Sequence, residues 1–543
     1  MSHLSLQTPV ADLSSRGRLP FRTTITQSNA NDIKRLVSDI EQEKKGYVAE
    51  IKKLRVAMMV LEGKEDVAQK KLDYLKSLLS PIHRIPPEIL LDIFRLCCPT
   101  HGRLSIDGPS SSPDQLSKVC GFWRNIIAGS PSLWSGICVC IHPSKNSLRA
   151  TKRMLDLSGS APLMLSLSYM LDDFNMTHED DGTPKALTDL LVSHSDRWKS
   201  LILDITTAGS RLPSLQAIRG RLDKLTNLTI DCLDGDVEFD ERFLRVFEHA
   251  PSLYSVQLID GPAHADFVLP WQQLETIHLE QCDLERILEI LKLCPNATRV
   301  KLGLPQIFTE PSCYARLPKV AALLTKLVAP EMMTSLFQRL VIPNIKSLDI
   351  RNECTVDRDA PWDLSAVQVA LGRSSNTLTS LYVKNIPIND KQMISFLQSA
   401  PNLEELSIWE YKPYFVSKPL KNNIVTPNLL NRLSLCDADL PQSMFDSVHG
   451  GFLPRLRALT LHVHVKGLDQ RALTNSVVSR CPPIGQEGPS WGKDGNVEHY
   501  LQSLELGLMV LEGEDPLDIG PLLTLECFRK VGVCVEVKIE ELT

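Results

Sequence analysis

One six-residue pattern constrains this chain more than any other feature: apolar-x-x-apolar-x-apolar, returning through the C-terminal two-thirds. Clear copies are Leu225-Thr-Asn-Leu-Thr-Ile230, Leu274-Glu-Thr-Ile-His-Leu279, Leu378-Thr-Ser-Leu-Tyr-Val383, Leu403-Glu-Glu-Leu-Ser-Ile408, Leu430-Asn-Arg-Leu-Ser-Leu435 and Leu501-Gln-Ser-Leu-Glu-Leu506. Trp198-Lys-Ser-Leu201 and Leu324-Thr-Lys-Leu327 are weaker ones. Most steps between copies lie between 21 and 33 residues, with one of 45 that spans a Gly- and Pro-rich stretch at 482–496. Alternation at the end of each copy predicts a short strand with one buried face. Helix-like stretches at 240–250, 284–294 and 391–400 each lead to a proline (Pro251, Pro295, Pro401) and then to the next copy. The unit is therefore helix, proline turn, strand. No unit can bury its own apolar face, so the units must stack. The expected fold class is α/β: over residues 150–543, a curved solenoid with parallel strands inside and helices outside. Val533-Cys-Val-Glu-Val-Lys-Ile539 reads as a final strand.

Side chains between the buried strand positions point to the other, inner face. Near the middle of the array these are Ser380, Tyr382 and Lys384, then Glu405, Ser407 and Trp409, then Arg432 and Ser434. Upstream the same rule exposes Arg299, Lys301, Asp349 and Arg351. Tyr, Trp and Arg dominate binding hot spots. Tyr382, Lys384, Glu405, Trp409 and Arg432 are the residues expected to hold a target.

The remainder divides into three. Residues 1–28 are rich in Ser, Thr, Pro and Arg without periodicity and read as a disordered lead-in. Residues 29–80 read as one long coiled-coil-like helix. Apolar positions alternate steps of four and three between 33 and 79, an a/d seam broken by Lys44 and Glu65. That seam implies either self-association or a helix folded back on its own chain. Residues 81–141 read as a compact helical segment. Pro81 stops the long helix, Pro86 and Pro87 suit the start of the next, and Ile89, Leu90, Ile93 and Phe94 give it a broad apolar face. A second helix carries Leu116, Val119, Trp123 and Ile127. Such a small core needs a neighbour or partner to cover its apolar surface.

Composition excludes several classes. The formal charge is −6 over 543 residues, which leaves no footprint for nucleic acid and no polybasic membrane patch. No apolar run approaches a membrane span, and the N-terminus lacks a secretory h-region. Fourteen scattered cysteines without a C-x-x-C pair fit a reducing compartment, hence an intracellular protein, cytoplasmic or nuclear. Phosphate-loop, dinucleotide, nucleophile-elbow and zincin motifs are missing, so neither catalytic residues nor a cofactor are expected. His462-x-His464 lacks a third ligand and reads as a pair of surface histidines; the acidic residues at 172–181 read as a solvated turn, and no metal site is assigned.

Three strings together resemble a known family. Ile82-His-Arg-Ile-Pro-Pro-Glu-Ile-Leu-Leu-Asp-Ile-Phe94 is similar to the first helix of an F-box. Leu116-Ser-Lys-Val-Cys-Gly-Phe-Trp-Arg-Asn-Ile-Ile127 is similar to the second, and Ser130-Pro-Ser-Leu-Trp134 to its closing turn. An insertion around 100–113 lengthens the link between the helices. The repeats resemble the leucine-rich repeats of fungal-type F-box proteins, although of the Asn or Cys expected after each strand only Cys282 is present. The resemblance implies a substrate-recognition subunit of a Skp–cullin–F-box ubiquitin ligase. Its F-box would dock the Skp-family adaptor, and through it a cullin, while the repeats hold an unidentified target protein. Ile85, Pro86, Ile89, Leu90, Ile93, Val119, Trp123 and Trp134 are the expected adaptor contact and its supporting core. The alternative is a scaffold that uses the same contacts without degradation.

Overall fold

A computed structural model of the chain describes residues 27–98, 113–141, 145–169, 183–205, 215–232, 241–259, 267–304, 310–353, 362–374, 377–410, 424–434, 452–465, 468–481, 500–511 and 520–542. The lead-in up to residue 26, most of the insertion between the two apolar helices, the acidic turn and the 482–496 loop lie outside them. The chain divides into two units, Met1–Leu90 and Leu91–Thr543.

In the first unit, α1 (Gln27–Leu78) runs for 52 residues. Lys, Glu, Gln, Leu and Ala sustain it, all strong helix formers. Every residue from 34 to 79 is exposed. Extended backbone at Ser80 and then Pro81 end it. A 3-10 turn, Pro81–Arg84, leads to α2 (Pro87–Cys97), within which the unit boundary falls. Pro87 opens α2 where no N–H is needed.

After the rest of α2, the second unit continues with α3 (Pro113–Ser117) and α4 (Gly121–Ala128). Cys120 caps α4, its sulfur accepting from the Trp123 N–H at 3.5 Å. Trp134 is buried, and its indole N–H donates to the Ile127 carbonyl at 2.9 Å. Trp123 packs on Phe94 with ring centroids 4.7 Å apart.

Sixteen strands follow among the described residues. They are β1 (Gly136–Ile141), β2 (Leu163–Tyr169), β3 (Trp198–Asp204), β4 (Asn227–Asp231), β5 (Ser255–Ile259), β6 (Thr276–Glu280), β7 (Arg299–Gly303), β8 (Ala315–Arg316), β9 (Ala322–Leu327), β10 (Leu340–Val341), β11 (Ser347–Asn352), β12 (Ser380–Lys384), β13 (Glu405–Trp409), β14 (Ala458–His464), β15 (Ser503–Leu511) and β16 (Cys534–Leu542). Fourteen form a single sheet in strict chain order, and β8 pairs with β10 apart from it. Neighbouring strands are parallel throughout, for example β12 with β13 and β15 with β16. Strict order and parallel pairing require each connection to cross back over one face, which is compatible with a solenoid-like α/β stack. Buried Val, Leu and Ile alternate with half-exposed residues in β5, β6 and β12, so one face is covered and the other is not. The covered side forms one continuous core from Ile137 to Val535. Connecting helices begin on good caps: Asp283 accepts from the Glu285 N–H, and Asn389 with Gln392 makes a reciprocal capping box. No helix among the described residues is long and apolar enough to cross a membrane.

Near the C-terminal end, Arg480 is completely buried. Its guanidinium donates to the carbonyls of Leu433, of Leu453 at 3.0 Å and of Phe452 at 2.6 Å. Burial lowers its pKa to about 10, so it stays charged at neutral pH.

Three expectations are corrected here. The copy beginning at Leu430 is helical: Pro427–Leu433 is capped by Thr426, and Leu429, Leu430 and Leu433 bury its apolar side. Arg432 therefore sits on a helix and not beside Trp409. The copy at Leu324 starts four residues late: Leu323 pairs with Leu348, so the unit is Val320-Ala-Ala-Leu323-Leu-Thr325. In β9 the buried positions are Leu323, Thr325 and Leu327, and Leu324 lies on the half-exposed face. A buried threonine at the last aliphatic position conceals the true unit. Finally, His462 and His464 are each only 2% exposed, so they are interior residues and not surface ones.

Candidate functional site

Strand register places the half-exposed residues in rows across the sheet. Lys326, Arg351, Lys384, Trp409, His462 and Gly507 occupy one row, on β9, β11, β12, β13, β14 and β15. Adjacent strands are about 4.8 Å apart, so neighbours in a row touch. Asp349 grips Arg351 through two bonds, of 2.9 and 2.7 Å, and aims it at the next strand. The Arg351 guanidinium lies 4.7 Å over the Tyr382 ring, and the Lys384 ammonium 4.9 Å over Trp409. Tyr382 and Trp409 have centroids 6.0 Å apart. Trp409 stacks on His462 at 3.4 Å, the rings nearly parallel. Burial pushes the Tyr382 hydroxyl up to about 12, so it remains a neutral donor.

Tyr382, Lys384 and Trp409 are thus brought together, as their spacing predicts. Glu405 stands exposed four residues before Trp409 on β13, level with Ser380. Sequence reasoning passed over Lys326, which lay in one of the weaker copies, and His462, which had the correct parity but was read as a surface residue.

Gly507 allows this stack to close. A methyl group there would fall 2.1 Å from His462 Nδ1, and His462 extends towards Glu540 of β16 at 3.4 Å. The ring is buried and stacked, so it cannot move aside at low cost. Gly507→Ala is expected to lower stability by about 1–3 kcal/mol, the range for overpacking. His462→Ala in the same chain should recover much of that loss. Urea unfolding of the two single variants and the double variant checks this. Beyond Trp409, the buried Glu410 carboxylate accepts from the N–H groups of Val425 at 2.9 Å and His464 at 3.1 Å. Burial raises its pKa.

A second arrangement of the same kind lies upstream. Glu280 on β6 passes over Gly303 on β7, where a methyl would fall 2.7 Å from its Cγ, and meets Lys326 on β9 at 2.6 Å. Burial, the largest single influence, would raise the Glu280 carboxyl; the Lys326 hydrogen bond and the charges of His278, Lys326 and Lys301 together outweigh it and hold the carboxyl below its usual range. Lys301 is held below its ordinary value by burial first and then by the Lys326 charge. Lys301, Lys326, Arg351 and Lys384 thus place four cations on four neighbouring strands, facing Glu280 and Asp349. Such a surface offers ring faces and charged donors to a partner with acidic and aromatic groups.

His278, 3.4 Å from Glu280, is lowered from 6.5 to about 4, by burial first and then by Lys301. It folds best neutral. Its contribution is complete above pH 6.5 and is lost as pH falls towards 4, because the unfolded chain takes up the proton first. At about 1.4 kcal/mol per pKa unit, the loss is at most about 3–4 kcal/mol. His278→Gln should flatten this stretch of the stability profile, measured by urea unfolding between pH 7 and pH 4.5.

The apolar helices present a different surface. On α2, Leu90 and Phe94 are buried, whereas Ile89 (51%), Ile93 (39%) and Leu96 (88%) are exposed. These three recur at i, i+4 and i+7, one face of a helix. Pro86 is exposed and Ile85 half-buried. In the second unit Val119 and Phe122 are exposed, Trp123 is half-buried and Trp134 is core. Leu90 and Trp134 thus support the fold and offer nothing to a partner. Leu96 and Phe122 were missed because the apolar residues of each helix were read as one broad face and not two.

No family model and no curated protein matches this chain. Among the described residues, no group of three His, Cys, Asp or Glu converges as a metal site would.

Proposed function

We propose that this chain is an F-box protein with irregular leucine-rich repeats, the target-recognition subunit of a Skp–cullin–F-box ubiquitin ligase working inside the cell. The observation that carries the reading is α2. A soluble helix that buries Leu90 and Phe94 yet leaves Ile89, Ile93 and Leu96 in solvent has a second apolar face to offer a partner. That helix lies within the string resembling the first F-box helix, and Phe94, Trp123 and Trp134 sit in the strings that resemble the rest of the motif. The stacked sheet supplies the other half of the reading: a cluster of Arg351, Lys384, Tyr382 and Trp409 to hold a target protein. The chain itself does no chemistry. It raises the concentration of target near a charged conjugating enzyme.

Purification of the tagged chain should bring down a Skp-family adaptor and a cullin, together with a target whose half-life lengthens when the cullin is inhibited. Absence of the adaptor overturns the reading. An adaptor with no change in any target's half-life leaves the non-degradative scaffold. Tyr382→Ala with Lys384→Ala should spare adaptor capture and weaken target capture by about 2–4 kcal/mol, the range for hot-spot residues. Trp409 is a poorer choice, because its stack on His462 makes it part of the fold.

A further inference from the structure

The long helix α1 carries a recognition pattern of its own, independent of the adaptor reading. Its seam residues are in solvent: Ile40, Ile51, Leu54, Met58, Leu61, Leu72 and Leu75 are all between 44 and 63% exposed. A helix of this length draws its stability from a packed face. In heptad terms the d positions run Ile33, Ile40 and onward to Leu75, and the a positions Val37, Lys44 and onward to Leu79. Lys44 and Glu65 are the two charged a positions, and they lie nearly symmetrically about the middle of the seam.

The charges distinguish the two ways of pairing two copies. In a parallel, in-register pair, a meets a, so Lys44 faces Lys44 and Glu65 faces Glu65. On its flanks Lys71 faces Lys76, and only Glu50 with Arg55 attract. In an antiparallel pair, a meets d, and the register that overlaps the whole seam sets Ile51 against Leu61 and Met58 against Leu54. Lys44 then lies diagonally across from Glu65. On the g flank Glu43 meets Lys71 and Glu50 meets Lys64, each twice by symmetry, with Leu36 against Leu78 at the ends. Against these stand Lys34 with Lys76 near the ends and Arg55 with itself at the centre. Opposite charges prevail in the antiparallel pair and like charges in the parallel one. Gly46 and Gly63 fall at outward positions, where they leave the seam untouched.

We propose that α1 is the interface for a second copy of this chain, paired antiparallel with Lys44 of each helix against Glu65 of the other. At 1.5 Å per residue the seam spans about 70 Å. The two copies would therefore carry their α2 segments at opposite ends of a rod.

Sedimentation of the full-length chain at tens of micromolar should show a dimer. Lys44→Glu places Glu against Glu65 across the pair and should weaken association tenfold or more; Lys44→Glu with Glu65→Lys should restore it. In a parallel pair both variants keep like charges facing, and neither should differ from the parent. Benzoylphenylalanine in place of Tyr47 should cross-link to residues 62–68 of the other copy, as read by mass spectrometry. A monomer, a dimer indifferent to Lys44→Glu, cross-links to residues 44–51, or cross-links only within one chain each overturn the proposal. The melting transition of the sheet, unchanged in these variants, serves as the folding control.

Discussion

A chain carrying Ile89→Asp and Ile93→Asp should fold as before and lose the adaptor altogether. Both side chains stand in solvent on α2, and exposed substitutions of this kind usually move stability by no more than about 0.5 kcal/mol. At an interface the effect is different. Each isoleucine withheld from burial forfeits about 1.5–3 kcal/mol, and each aspartate must be desolvated or left unpaired. A loss beyond about 4 kcal/mol is near a thousandfold in affinity. The contrast with Leu90 makes the test sharp. Leu90→Asp puts a carboxylate where the structure has no solvent, so it should abolish binding by unfolding the segment. The measurement is adaptor capture alongside circular dichroism. Capture that survives the exposed pair removes the F-box reading.

Arg480→Leu should be the most destabilising single change in the sheet unit. The guanidinium joins the Pro427–Leu433 helix to the residues just before β14 through three carbonyls, with no exposure to water. A leucine fills part of the space and leaves those acceptors without donors, at about 1–3 kcal/mol each. The expected cost is about 3–5 kcal/mol, by analogy with one-sided removal of buried charges. Lysine, a point charge without the planar fork, should recover only part of it. Urea unfolding gives the total, and hydrogen exchange should show protection lost first in Pro427–Leu433 and β14.

Strand positions were readable wherever an aliphatic residue occupied both places of the copy, as in Leu378-Thr-Ser-Leu-Tyr-Val383, and misleading where one did not. Thr325 sits at a buried position, its hydroxyl donating to the Asp349 carbonyl at 3.3 Å. With that hydrogen bond a threonine can stand where leucine is expected, and the copy was placed four residues late. The Leu430 copy failed for another reason. Leucines at i, i+1 and i+4 suit a helix and a strand alike over so short a run. The deciding signal was Thr426-Pro427 just ahead, a helix start. The open-face residues were found by parity alone, but parity says nothing about cover. Only the stack of Trp409 on His462, made possible by Gly507 two strands beyond Trp409, shows that the face is closed at that end. On α2 the split into a buried and a solvent face could not be read without knowing that Trp123 packs on Phe94.

The last strand has a bearing on solubility. A sheet laid down in chain order ends in an edge, and an edge is a template for further strands. In β16, Glu536, Lys538, Glu540 and Glu541 crowd nine residues with charge, which discourages an incoming strand. Its inner neighbour β15 has no such protection: Ser503–Leu511 carries one charge, Glu505, among Leu504, Leu506, Leu508, Met509 and Val510. A chain shortened before Cys534 would present that run as its outermost strand, long, apolar and nearly uncharged. Such an edge favours fibre growth over folding, and the charged strand β16 covers it.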